Sequence, residues 1–295
     1  MTIEQYFNQE KLNVKNLSLE TPKTDRGLFL HPDIYVSDGD WNAMRRYLEE
    51  NCTEEKLNSS ERWNLIELAV NMKILFPERL SHPNIDHIAW NFLKRNLEQQ
   101  TEYGRKNTDL TRWGAYALSA TKMRILFPER VDQIRLDKYL LKAMNEKIEI
   151  HIGGFGIPDW YVENIWEAKI LFPDETFGIR AGIREYLENT LTSLFHTEGW
   201  DTLVEYIGKI RVLFPDFASD IINTYFNRRA IDGVKEYLNK CRIHSDWKNF
   251  SKCASFVKFI TAREVKITNQ EIIFSMPDCH PFKDSALSVP EARKF

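Results

Sequence analysis

Three things are missing from this chain, and each absence removes a class of protein. No apolar run approaches the roughly 18 to 20 residues that cross a bilayer, and the opening MTIEQYFNQEKLNVKN lacks the basic-then-apolar profile of a secretory leader. A cytoplasmic protein without membrane contact is expected. Cysteine is scarce: Cys52, Cys241, Cys253 and Cys279 follow no framework spacing. A chain of 295 residues, 43% of them hydrophobic, buries enough core to stand without disulfides, so reduced thiols are expected. An excess of charge of one sign is also lacking. A net charge of -3 and a pI near 6.2 leave no bulk cationic surplus to hold a phosphate backbone, which disfavours nucleic acid as a partner.

Chemistry-bearing motifs are equally thin. CRIH at 241–244 has a Cys-x-x-His spacing, and Cys253 and the DCH at 278–280 add ligand types. Zinc needs about four convergent ligands, and only the first pair is spaced like a motif. GGFGIPD at 153–159 has no GxGxxG and no downstream Lys-Ser/Thr, so it reads as a turn between helices and not as a phosphate cradle. The seven histidines are scattered, and spacing alone assembles no His/Ser/Asp or paired-carboxylate set. The expectation is a protein that is not an enzyme, with no catalytic residue, metal or cofactor.

What is present is a repeat. KILFPER at 73–79 returns as RILFPER at 124–130, KILFPDE at 169–175 and RVLFPDF at 211–217. Pro77, Pro128, Pro173 and Pro215 are 51, 45 and 42 residues apart, the range of two-helix repeats. KFITARE at 258–264 reads as a degraded fifth copy with Ala262 in the proline position, and LFLHP at 28–32 as the remnant of a leading unit.

Each copy predicts a helix ahead of the proline. Trp63, Trp113, Trp160, Trp200 and Trp247 recur near its start, behind Ser60, Thr111, Asp159, Thr197 and Ser245, which can cap first-turn amides. Positions twelve, eight and five before the proline hold Leu65, Ala69 and Met72, then Tyr116, Ala120 and Met123, then Tyr161, Ile165 and Ala168. The last two copies give Leu203, Ile207 and Ile210, then Phe250, Ala254 and Val257, one helical face throughout. The proline ends that helix and can open the next, with Glu78, Glu129, Asp174 and Asp216 at the new helix's positive end. Second helices are expected over 84–99, 132–147, 178–195 and 218–241, and a short one from the capping-box sequence TNQE at 268–271 to about Met276.

This internal register resembles the α-solenoids of the HEAT and armadillo type. The resemblance implies an all-α fold, a right-handed α-α superhelix of about five two-helix repeats over residues 28–276. A partly flexible segment 1–27 would precede it and a tail 277–295 would follow it. It also implies that second helices line a concave face. Lys94, Arg95, Arg135, Lys138, Lys142, Arg180, Arg184, Arg228, Arg229 and Lys235 would then make that groove basic, among aromatics suited to an acidic peptide or a nucleic-acid backbone. A second basic set stands four residues before each proline position: Lys73, Arg124, Lys169, Arg211 and Lys258. A cation there complements a helix C-terminus, so this column is expected to be structural. The expected function is a noncatalytic scaffold or adaptor binding another macromolecule, a protein, along its helical surface. The alternatives are a nucleic-acid-binding or nucleic-acid-modifying protein of the same shape and an α-solenoid enzyme or lyase.

Overall fold

The structure, a computed structural model, describes residues 27–53, 61–77, 79, 83–104, 110–133, 140–142, 144–145, 159–175, 183–267 and 272–275. Ser60, residues 153–158 and the DCH at 278–280 lie outside them, as do nearly all of the expected N-terminal segment and the whole tail. The described part is mostly helical and carries two small hairpins.

The first hairpin, β1 (Leu28–His31) and β2 (Ile34–Val36), stands where a leading helical unit was expected. His31 precedes Pro32, which drives it out of α geometry, and alternation buries Leu30, Ile34 and Val36. α1 (Asp38–Asn51) follows through a capping box. The Ser37 hydroxyl accepts from the Asp40 amide at 3.0 Å, and the Asp40 carboxylate accepts from the Ser37 amide at 2.9 Å.

Five motif helices come next in the repeat: α2 (Arg62–Leu75), α4 (Leu110–Leu126), α5 (Asp159–Leu171), α7 (Trp200–Leu213) and α10 (Trp247–Thr261). Between them lie α3 (Pro83–Gly104), a 3₁₀ turn over Pro128–Gln133, α6 (Ile183–His196), α8 (Pro215–Tyr225) and α9 (Arg228–Ile243). The predicted face is buried at every one of its described positions, from Leu65, Ala69 and Met72 to Phe250, Ala254 and Val257.

The LFP stretches form one turn, built four times. The amides of Phe76, Phe127, Phe172 and Phe214 each close the last helical turn, donating at 2.8–2.9 Å to the carbonyl four residues back. The carbonyls of the same phenylalanines then accept from the amide three residues on, at 2.9–3.3 Å. Phe76 packs edge-on against Trp41 of α1 and Phe127 against Trp90 of α3, so the motif ring anchors its helix to an outer one. Arg79 and Arg130, two residues past the proline, lie over those rings at 5.0 and 5.4 Å.

Three starts differ from expectation. α4 is already helical at Leu110, so Thr111 lies inside it and does not cap. α7 begins after Gly199 and α10 after Asp246, whose carboxylate accepts from the Asn249 amide at 3.3 Å. Thr197 and Ser245 do not cap, because the preceding outer helices use those residues to terminate. Gly199 donates back to the Leu194 carbonyl and Asp246 to that of Cys241. Glu198 and Ser245 consequently take left-handed backbones, with φ of 59° and 55°.

The motif helices pack in a circuit: α2 on α4, α4 on α5, α5 on α7, α7 on α10, and α10 back on α2. An open superhelix would leave its first and last units apart. Here Lys258 of the fifth copy donates to the Ile74 and Leu75 carbonyls of the first at 2.7 and 3.0 Å, and Ser255 donates to Asn71 Oδ1 at 2.9 Å. The remaining helices lie outside this circuit, α1 against α2, α3 against α4, α6 and α8 against α7, and α9 against both α7 and α10. The end of the fifth unit is a second hairpin, β3 (Glu264–Ile267) and β4 (Ile272–Ser275), in place of the short helix expected there. The β-branched alternation of VKI and II favours a strand over a helix. Phe274 brings that hairpin onto Phe259, with ring centroids 4.8 Å apart.

Candidate functional site

The basic column belongs to the circuit. Arg124 donates to the Leu171 carbonyl at 2.6 Å, and Arg211 donates to the carbonyls of Ile260, Ala262 and Arg263. With Lys258 on Ile74 and Leu75, three cations each close the open end of another motif helix, where the last carbonyls lack intrahelical partners. Lys169 instead closes its own turn, on Pro173 at 2.5 Å and Glu175 at 3.3 Å, and Lys73 is half-buried. Burial lowers the pKa of Arg124 and Arg211, and that of Lys258 to about 8. The column is structural in these helix-end contacts.

The expected groove cations lie on several outer elements. Lys94 and Arg95 are exposed on α3, Lys142 on the short helical stretch 140–142, Arg184 on α6, and Arg228 and Arg229 on α9, where Lys235 is half-buried. Arg135, Lys138 and Arg180 lie outside the described residues. Several of the cations are engaged with acids. Arg184 pairs with Glu188 at 2.8 Å and approaches Asp220 at 3.8 Å, Arg228 pairs with Asp33 and Asp232, and Arg229 pairs with Glu198. Arg184 also lies over Phe217, and Arg229 over Phe195 and Trp200. The structure brings Arg184, Arg228, Arg229 and Lys235 onto the α6–α8–α9 side, away from Lys94 and Arg95 on α3.

The densest charge cluster was not anticipated. Ten and six residues before each proline position, one turn apart, stand Glu67 and Asn71 on α2, Leu118 and Lys122 on α4, and Glu163 and Glu167 on α5. Glu205 and Lys209 follow on α7, and Lys252 and Phe256 on α10. These positions lie opposite the predicted apolar face, where a helix inside a ring meets the other motif helices. Lys209 bonds Glu163 of α5 and, at 2.6 Å, Glu205 of its own helix, while Lys252 reaches Glu205 at 2.7 Å. Lys248, one turn earlier on α10, bonds Asn64 at 2.9 Å and approaches Glu67 at 3.6 Å. Lys122 of α4 feels the charges of Glu67, Glu163, Glu167 and Lys252 on α2, α5 and α10.

Electrostatics bind this cluster together. Burial would lower the pKa of Lys209, yet Glu163 and Glu205 outweigh it and hold the ammonium above its ordinary value. Burial would raise that of Glu205, and Lys209 with Lys252 holds it below. For Lys122 burial wins over the three carboxylates and its pKa falls. Exposure falls from Lys248 (35%), Lys252 (34%), Glu163 (43%) and Glu67 (28%) to Glu205 (17%) and Lys209 (6%). Phe256, at the same repeat position as Lys209, lies beside this cluster, and Trp166 packs on Phe256 and Phe259 with centroids 6.1 and 5.2 Å away.

Burial pushes the thiols of Cys52, Cys241 and Cys253 up, that of Cys253 well above the ordinary range, which keeps them protonated and poor as ligands or nucleophiles. No cluster of three or more metal-ligating side chains occurs among the described residues, and no described helix is long and apolar enough to cross a membrane. In comparisons with known proteins, no family model, no curated protein and no solved structure matches this chain.

Proposed function

We propose that this chain is a noncatalytic helical-repeat scaffold, akin to HEAT and armadillo proteins in its two-helix units, that binds an acidic segment of another protein through its outer layer. The observation that carries the reading is the set of cations held over aromatic rings on one side. Arg184 stands over Phe217 at 5.4 Å and Arg229 over Phe195 at 5.0 Å, with Arg228 and Lys235 on the same helix as Arg229. A guanidinium on an aromatic face is pre-ordered for a carboxylate and leaves an apolar ring beside it, a pairing enriched at protein interfaces. The only exposed large apolar side chains among the described residues are Tyr47 and Ile243, which favours a polar, charge-steered contact over a greasy one. The test is purification from the native cell, identification of what co-purifies, and titration of that partner against Arg184→Glu and Arg229→Glu. Salt-sensitive loss of binding at unchanged melting temperature supports the reading. Undiminished binding by the double variant overturns it.

A further inference from the structure

Two arginines of α9 hold the N-terminal hairpin and α1 from opposite ends of that helix, and the two contacts differ in kind. Near the C-terminus Arg242 bonds both oxygens of the buried Asp40, at 2.8 and 3.0 Å, and the Tyr35 carbonyl at 2.7 Å. At the first residue the exposed Arg228 bonds Asp33, on the tip of the hairpin, at 2.8 Å and Asp232 at 3.1 Å. Only this second contact has a histidine beside it. His31 is half-buried, its ring edge-on to Phe226 at 6.3 Å, and its Nδ1 accepts from the Asp33 amide at 3.1 Å. A ring nitrogen that accepts a hydrogen bond carries no proton. The turn therefore requires the neutral imidazole, with its hydrogen on Nε2.

The next proton goes to Nδ1, where it has two effects at once. It removes the acceptor of the Asp33 amide, and it puts a cation among Asp33 of the hairpin and Arg228 and Lys235 of α9, with Asp232 on the far side of Arg228. Burial and the two cations hold the pKa of His31 below the ordinary 6.5, against the pull of Asp33. The Asp33 carboxylate stands 3.8 Å from Nδ1, near enough to reach an imidazolium by rotation of one side chain. Arg228 keeps Asp232 when it does. Leu30, Ile34 and Val36 anchor the strands in the core, which confines the movement to the tip at Pro32 and Asp33. We propose that this tip is a proton-operated latch. With His31 neutral, Asp33 holds Arg228; with Nδ1 protonated, Asp33 turns to His31 and Arg228 is released, while the Arg242 clamp stays shut. The latch is a property of the hairpin and does not depend on partner binding at the outer layer.

Nuclear magnetic resonance of the full chain between about pH 8 and about pH 5, the range in which histidine titrates, tests it. The His31 ring is expected to titrate with a midpoint below 6.5. The Asp33 amide and Arg228 Nε signals should move with that same midpoint, and the Arg242 Nε signal should stay still. Exchange of the Asp33 amide with solvent, corrected for its intrinsic pH dependence, should speed up about tenfold, the scale of one lost hydrogen bond. His31→Asn, whose Oδ1 can accept from the Asp33 amide but takes no proton, should abolish the Asp33 and Arg228 responses. Asp33→Asn, which removes the carboxylate that attracts the imidazolium, should lower the His31 midpoint and leave Arg228 still. An Arg228 signal that stays still while wild-type His31 titrates, or one that moves as before in His31→Asn, would overturn the latch. A His31 midpoint unchanged in Asp33→Asn would overturn it equally.

Discussion

α9 and α10 are consecutive, 16 and 15 residues long, and joined by a three-residue turn, yet they obey different rules. α9 buries five residues, Ala230, Ile231, Val234, Leu238 and Cys241, in one stripe and gives its remaining faces to water. α10 buries ten, with Ser251, Ser255 and Lys258 among them. The same residue type therefore means different things on the two helices. Lys240 on α9 is exposed and pairs with Glu236 one turn away, a contact that water competes with. Lys258 on α10 is withdrawn from water and holds two backbone carbonyls of another unit. A helix with one apolar stripe has one partner surface; a helix inside a ring has outer helices behind it and four motif helices beside and ahead of it.

The sharpest way to break this comparison is Phe250→Ala, which empties a fully buried position on α10. A loss of about 3 to 5 kcal/mol in urea denaturation is expected. A loss under about 1 kcal/mol would show that the inner helices are not closely packed.

Next in size is a pH effect on Lys258. Its folded-state pKa, about 8, lies below the ordinary 10.5. Between those values the unfolded chain binds more protons than the folded one, so stability attributable to this residue rises as pH increases through that window and is flat outside it. The rise is on the order of 3 kcal/mol. Denaturation across the window should show the gain in the wild type and not in Lys258→Met, the difference isolating this residue from other titrating groups.

The turns between outer and inner helices offer a smaller change of opposite sign. Ser245, at φ 55°, is expected to gain about 1 kcal/mol on substitution by glycine, because left-handed backbone strains an L side chain. Thermal melts of Ser245→Gly that fall below wild type would contradict the assigned turn. Smallest of all is Ile243→Ala on α9. At 77% exposure the side chain has little to lose, and a change within about 0.5 kcal/mol is expected.

Much of the local structure was legible because local sequence determines it. The LFP turn follows from a proline and its two neighbours, and the buried face of each motif helix from apolar spacings of three and four. The caps were misplaced by one or two residues at Thr197 and Ser245, since αL termination of one helix and capping of the next compete for the same three residues. Both hairpins were read as helical, His31-Pro32 and the β-branched alternation near residue 270 being the overlooked signals. The ring itself could not be read off neighbouring residues. Its closure rests on Lys258 meeting Ile74 and Leu75, residues 184 and 183 positions away. Polar residues at the ten-before and six-before positions look like a solvated helix face until the ring puts them at its centre. A clue was present: Ile66, Leu68 and Val70 stand outside the predicted stripe of α2 and are also buried, too many apolar faces for a surface helix.

The ring makes the order of synthesis matter. As the chain leaves the ribosome, α2 is available early, but the surface that covers its flank comes with residues 247–261, almost 200 residues later. Until then its last carbonyls and Asn71 must be met by solvent or by helpers, and such long-range pairing slows folding. A nascent chain stalled before α10 would therefore present an uncovered flank to chaperones and proteases, whereas addition of this single helix would cover it. Protection of the first unit would appear late and together with that of the last, so that the two ends of the sequence mature as one event.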